Sequence, residues 1–253
     1  MTVLTSQLPS GGYGYTFPSV EVRPFTFLEL NGYLENVPSD PLEKYVFDIK
    51  VLCKDDPKVY DLYVMDLDFL IFFKKLCTVS ADLSYNLTIK CPDCGNMIKK
   101  RITLDRDIHF TQIDNSVMDG AVVSINDHKY NIQVPNVRDF LQVMTTYLRY
   151  RKITDLKMIK TISLISEFRM EGNQVEADVL GATHNDITLL LALRELYFER
   201  VEPIKVFCNE CGNKTDKFEE RRGISVSVDS LIGDFFREII NNSPIDGSKV
   251  LFK

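Results

Sequence analysis

The sequence predicts an α+β fold in which two β-knuckles carrying four cysteines form a ribbon, a helical insertion separates them, and an amphipathic helix closes the chain. Three observations predict it. The turns CPDCGN at 91–96 and CNECGN at 208–213 each follow an alternating strand. Between 136 and 200 the apolar period changes from two to that of a helix. Beyond 229, Leu231, Ile232, Phe235, Phe236, Ile239 and Ile240 form a stripe along one helical face. The organisation expected is an extended N-terminal arm over 1–20 and a single α+β domain over 21–253. Within it the ribbon occupies 83–104 and 203–228, a hairpin and helices fill 121–200, and the last helix spans 229–241.

Each element has a local reason. Gly11, Gly12 and Gly14, with Pro9 and Pro18, argue against regular structure in the arm, where Tyr13, Tyr15 and Phe17 alternate. The arm reads either as a loop packed on its own domain or as a segment that docks on a partner. Val20 and Val22, then Phe25 and Phe27, suggest a strand running into a short helix over 28–34. Tyr45, Phe47, Ile49, Val51 and Cys53 alternate with less apolar residues, the period of a half-buried strand. The stretch 66–77 reads as a helix with Asp66 able to cap it and Lys74 and Lys75 in its last turn. It is apolar on most sides, which places it deep in a core or under a partner. Cys53 and Cys77 read as small buried hydrophobes.

Leu83, Tyr85, Leu87 and Ile89 alternate up to Cys91, and Ile98, Ile102 and Leu104 resume beyond it, a hairpin turning at CPDCGN. A second hairpin turns near Asn126, Asp127 and His128. The first long helix carries Val137, Phe140, Leu141, Met144 and Leu148, with Asn136 as its N-cap. A second carries Leu156, Ile159, Ile162, Ile165 and Phe168 until Gly172. A third is expected over 186–199, capped by Asn185 and burying Ile187, Leu190, Leu191 and Leu193. Ile204 and Val206 then return to strand before Cys208.

The chain has 253 residues and a formal net charge of -6, so bulk attraction to a phosphate backbone is not expected. No apolar run reaches the roughly 18 residues of a membrane span, and the start lacks the basic and apolar regions of a secretory signal. A cytoplasmic setting is therefore expected.

Six cysteines are present, four of them in two C-x-x-C pairs: Cys91 with Cys94, and Cys208 with Cys211. A disulfide framework belongs to small secreted domains, which this chain does not resemble. A redox dithiol would open a helix after a strand, and neither pair does. Zinc wants four thiolates in a tetrahedron, and one knuckle supplies two. Gly95 and Gly212 follow the second cysteine of each pair, where the chain must turn back tightly. The pattern therefore points to one structural Zn2+ held by Cys91, Cys94, Cys208 and Cys211. A degenerate site without metal and an iron–sulfur site are the alternatives. Lys90, Lys99, Lys100 and Arg101 around the first knuckle read as screening of the thiolate charge, with a nucleic-acid patch as the other reading.

No catalytic centre is expected. Four cysteine ligands leave no open position on the metal. His109, His128 and His184 are scattered, and no H-E-x-x-H, Walker or dinucleotide motif is present. Asp66/Asp68 and Glu219/Glu220 read as a cap region and a solvated face.

Several segments in order extend this reading: LPSGGYGY followed by VEVRPFTFLEL, then DLDFLIFFKKL, LSYNLTIKCPDCGN, VPNVRDFLQVM, and VFCNECGN before the last helix. In this order they resemble the baseplate hub and hub-assembly proteins of T4-like contractile-tailed bacteriophages, outside about 150–200. The resemblance implies a non-enzymatic protein that builds, or helps to build, the baseplate hub. Its expected partners are other baseplate or tail hub proteins and further copies of itself. Its expected location is the host cytoplasm during assembly, and the virion if it stays in the tail. A zinc-ribbon nucleic-acid-binding factor is the alternative function.

Overall fold

The first twenty residues return on themselves. Strand β1 (Thr2–Leu4) pairs antiparallel with β2 (Ser19–Glu21), placing Val3 opposite Val20. The computed structural model describes residues 1–36, 38–79, 83–109, 113, 115–150, 156–171, 173–198, 204–211 and 224–226. They divide between two compact units, one of 1–78 with 110–200 and the other of 79–109 with 201–253, where the sequence suggests one domain over 21–253. The expected C-terminal helix, 229–241, lies outside the described residues, as do Gly172 and Gly212.

Residues 1–20 are not an extended arm but a loop packed on its own unit, the first of the two readings the sequence allows. Leu8 and Ser10 are fully buried, and the Tyr15 hydroxyl donates to Asp66 while accepting from the Tyr63 N–H. Phe17 stacks on Tyr15 and the Tyr13 hydroxyl donates to Asp119. The glycines that suggest a loose tail instead supply positive φ for consecutive turns, 63° at Gly11, 81° at Gly12 and 72° at Gly14.

Helix α1 (Phe27–Asn36) begins one residue before the expected span. Helix α2 (Pro41–Asp55) replaces the strand expected over 45–53. Its start is fixed by Asp40, whose carboxylate accepts from the Leu42 and Glu43 N–H groups, and by Pro41 in the first turn. The buried set is Leu42, Tyr45, Val46, Ile49, Leu52 and Cys53, spaced by threes and fours. An apparent alternation emerged because Phe47 and Val51 lie on the flank of that face.

A 3-10 turn (Pro57–Asp61) leads to α3 (Val64–Val79). Leu67, Phe69, Leu70, Ile71, Phe72, Phe73 and Leu76 are all buried, so this helix is covered within the chain, as are Cys53 and Cys77. Strands β3 (Ser84–Lys90) and β4 (Met97–Thr103), with the short α4 (Leu104–Asp107), belong to the second unit. The first unit resumes with α5 (Asn115–Met118), then β5 (Ala121–Ile125) and β6 (His128–Ile132). Their two-residue turn, Asn126-Asp127, has both φ values positive, at 48° and 65°, as a hairpin turn matched to strand twist requires.

Helix α6 (Val137–Tyr150) is capped as expected, with Asn136 Oδ1 accepting from the Asp139 N–H at 2.8 Å. The single helix expected from 156 to 172 is two. Helix α7 (Leu156–Ser163) stops, Ile165 forms an antiparallel bridge with Ile132, and α8 (Phe168–Glu171) follows. The edge of β6 thus captures the backbone of 164–166: Gln133 N–H donates to Leu164 and Ser166 N–H to Asn131. Helix α9 (Asn173–Leu180) went unread in the sequence. Helix α10 (His184–Phe198) starts earlier than expected, capped by Thr183 rather than Asn185. It buries Leu190, Tyr197 and Phe198, while Ile187 and Leu191 are exposed.

Among the described residues, the second unit has two antiparallel strand pairs. Strand β3 pairs with β4 over seven residues, from Ser84↔Thr103 to Lys90↔Met97. Strand β7 (Ile204–Val206) pairs antiparallel with β8 (Ile224–Val226).

Candidate metal centre

Each hairpin positions two cysteines just past its first strand. Cys91 follows β3 and its N–H donates to the Asn96 carbonyl at 2.8 Å, while the Gly95 N–H donates back to the Cys91 carbonyl at 2.9 Å. Those two bonds close the loop around Cys94, and they require the 74° φ that Gly95 adopts. Cys208 stands two residues after β7, with Cys211 one turn further on.

The four sulfurs converge. Every pair of Sγ atoms among Cys91, Cys94, Cys208 and Cys211 lies within 4.8 Å. Cys91 and Cys211 are 3.6 Å apart, as are Cys94 and Cys208. These separations are far longer than a disulfide bond of about 2.05 Å, and all four are free thiols. An ion bonded to four sulfurs at about 2.3 Å would hold them roughly 3.8 Å apart at the corners of a tetrahedron. The cluster therefore could bind a single metal ion at its centre. Both of these pairs join one knuckle to the other, so an ion would tie together segments about 115 residues apart.

Backbone amides prepare the sulfurs for charge. The N–H groups of Cys211 and Glu210 aim at the Cys208 sulfur, and with the neighbouring thiols they outweigh desolvation and bring its thiol down to about 7. At Cys94 the Asn96 N–H acts in the same direction, yet desolvation and the other three thiols prevail and push it up to about 12. Four thiolates this close repel one another, and a cation is what lets all of them ionise together. Cys91 and Cys208 are buried, Cys211 is partly covered and Cys94 is exposed.

All four expected ligands are thus brought together, and among the described residues no other group of three or more His, Cys, Asp or Glu side chains is placed to hold a metal. His109, His128 and His184 are not part of this group. His128 instead faces Asp178, which also accepts from Tyr130 and Gln174 and so clamps α9 to the β5–β6 hairpin. The amide donors to sulfur have no side-chain signature and were not readable from sequence. Gly95 was their only signal.

Asp66 does not cap α3. It is fully buried beneath the N-terminal turns, accepting from the Ser10 N–H at 2.8 Å, the Ser10 hydroxyl at 2.6 Å and Tyr15. Asp68 pairs with Lys160 and accepts from the Tyr45 hydroxyl. No protein-family model, no curated protein and no solved structure matches this chain.

Proposed function

We propose that this chain is a non-enzymatic structural or assembly protein of a phage tail baseplate hub, and that its second unit is a zinc ribbon closed by one structural Zn2+. The observation that carries the reading is the order of segments from LPSGGYGY through CPDCGN to CNECGN, which resembles the T4-like baseplate hub and hub-assembly proteins. The four-sulfur cluster supports its metal part: a tetrahedral all-cysteine set suits zinc, fills its coordination sphere and leaves no position for water or substrate. Zinc there ties the two knuckles, and its chemistry is structural. Protein purified without chelators should carry about one zinc per chain. Metal analysis that finds none, or a disulfide between Cys91 and Cys94, overturns the metal part.

The functional part is tested by isolating the tagged chain from phage-infected cells and identifying its companions by mass spectrometry. Baseplate or tail hub proteins are expected, with or without further copies of the chain. A second reading, a zinc-ribbon nucleic-acid-binding factor, draws on the exposed Lys90, Lys99 and Arg101 beside the first knuckle. Recovery of nucleic acid with no tail protein would favour it over the hub.

A further inference from the structure

Helices α1 and α2 leave a cavity of about 320 Å³ between them, formed wholly by residues of the first unit. Glu29, Gly32 and Tyr33 line it from one face of α1, and Phe47, Val51 and Lys54 from one face of α2. The rings of Phe25, Tyr33 and Phe47 succeed one another along it, their centroids 5.0 Å and 5.4 Å apart. Pockets for small molecules have this size and this make-up, about 300–1,000 Å³ with an apolar lining and a few placed polar groups.

Nothing else among the described residues requires two features of these walls. Gly32 stands in mid-helix without a positive φ, and a Cβ built on it would meet nothing within 4 Å. Glycine is a poor helix former, and here neither backbone conformation nor a close neighbour demands it. What it does is recess the α1 wall. Lys54 is the second feature. Five charged side chains line the cavity, and four of them cancel. Arg23 holds Glu29 through both Nη atoms, at 2.6 Å and 2.5 Å. Lys74 reaches Asp55 at 2.6 Å, donates to the Arg23 carbonyl at 2.9 Å and lies 4.4 Å over the Phe25 ring. Lys54 is exposed, and its ammonium has no partner among the described residues. The dipole of α2 favours a basic residue in this last turn, but it does not select the face that borders the cavity.

We propose that this cavity binds a small aromatic monocarboxylate, its ring among Phe25, Tyr33 and Phe47 beside Gly32 and its carboxylate on the Lys54 ammonium. Aromatic rings pair at centroid separations of about 4.5–7 Å, the spacing these three already keep with one another. One unmatched cation selects a single negative charge. An ammonium ligand would set like charges together, and a phosphate dianion would leave one charge without a counterpart. The site goes beyond the hub reading and does not rest on it, since every lining group belongs to the first unit.

The test uses the full-length, zinc-loaded protein and three probes: indole-3-acetate, 3-phenylpropionate and the neutral indole-3-acetamide. Calorimetric titration should show at least one of the acids bound at a single site per chain with Kd below about 1 mM. The amide should bind at least about threefold more weakly than its acid, the scale of a partly exposed ion pair. Lys54→Gln should abolish that preference, while Lys50→Gln, exposed on the same helix and outside the lining, should keep it. Gly32→Leu places a side chain in the cavity and should weaken the acid at least about tenfold. Its melting temperature should equal or exceed that of the parent, because leucine is the better helix former. Should Gly32→Leu not fold, the two lysine variants decide the case, since both change exposed side chains. The proposal fails if neither acid binds, which would leave the cavity to an apolar side chain of a protein partner. It also fails if acid and amide bind the parent alike, if Lys54→Gln and Lys50→Gln behave alike, or if a folded Gly32→Leu keeps the parent's affinity.

Discussion

The two units keep polar chemistry away from water by opposite means. The first has apolar mass to spare: α2, α3, α6 and α7 bury residues from Leu42 to Ile162, and within that mass it holds complete ion pairs. Lys74 reaches Asp55 at 2.6 Å and Lys75 reaches Asp48 at 2.8 Å, all four side chains under a tenth exposed. The described part of the second unit has two short hairpins with few buried apolar residues, chiefly Leu87, Ile98, Ile102, Ile108, Ile204 and Val206. A two-stranded hairpin is marginal by itself. What joins these two is a cluster of sulfurs. Where burial is plentiful a buried charge can be afforded, and where it is scarce an ion held by the four sulfurs would supply the cohesion.

The sharpest way to break this comparison is to remove the ion. Cys208→Ser takes away a buried ligand and should cost the second unit several kcal/mol, about the scale on which structural zinc is coupled to folding. Zinc should be lost, amides of β3 and β4 should lose protection from hydrogen exchange, and those of α2 and α3 should keep theirs. Protection retained in β3 and β4 without zinc would mean the hairpins stand without the ion.

The converse perturbation belongs in the first unit. Asp55→Ala removes the carboxylate that faces buried Lys74 and also accepts from the Arg23 N–H. The loss expected is about 3–5 kcal/mol, because a buried ammonium keeps its desolvation cost without its counter-charge. The double change Asp55→Leu with Lys74→Met should cost much less, since it removes both charges. Denaturant unfolding measures both, and zinc content should not move in either variant. Equal losses in the single and double variants would show that packing, not charge, dominates there.

How legible each unit was follows from the same contrast. The metal centre was readable almost whole, because ligands must be specific residue types at fixed spacing, and CPDCGN and CNECGN carry both. The hairpins around it were readable from alternation. The first unit was harder because its elements are decided by tertiary partners. Residues 45–53 alternate locally, yet the Asp40-Pro41 start and the wider set Leu42, Val46 and Leu52 make a helix, and a window that includes them shows it. The break after Ser163 has no breaker residue in it, since β6 imposes it by pairing at Ile132. The sequence places Lys74 and Lys75 in a last helical turn, but their buried partners Asp55 and Asp48 belong to another helix, which only tertiary packing brings near. The burial of Leu8 and Ser10 was masked by nearby glycines that serve turns.

Asp66 gives a pH test confined to the first unit. Burial raises its carboxyl from 3.8 to about 6, against the Ser10 and Tyr15 hydrogen bonds that act downward. The folded chain therefore holds this proton more tightly than the unfolded chain. Between about pH 4 and 6 the native state binds more protons, so this group makes stability fall as pH rises through that window and level off above it. The effect is on the order of 2–3 kcal/mol at about 1.4 kcal/mol per unit. Other carboxylates titrate in the same range, so the measurement is a difference: the parent minus Asp66→Asn, followed by denaturant midpoint across the window. A difference that does not change with pH would show that Asp66 titrates normally.

The smallest expected effect tests the most local of the structural corrections, the start of α10. Thr183 Oγ1 donates to Asp186 Oδ2 at 2.7 Å and accepts from the Asp186 N–H at 3.3 Å, and the Thr183 N–H donates to the same carboxylate oxygen at 3.1 Å. This is a reciprocal box with aspartate where glutamate is more common. The Ile187 N–H then donates to the Thr183 carbonyl, the first helical bond, which leaves Asn185 already inside the helix. Thr183→Ala should destabilise by about 1 kcal/mol, which for a chain of this size moves the melting temperature by roughly 2–4 °C. Asn185→Ala, at an exposed helical position where alanine is the better helix former, should be neutral or slightly stabilising. Because the cap lies in the first unit, zinc content and the protection of β3 and β4 should be those of the parent in both variants. If Asn185→Ala proved the more damaging of the two, the helix would start where the sequence alone suggests.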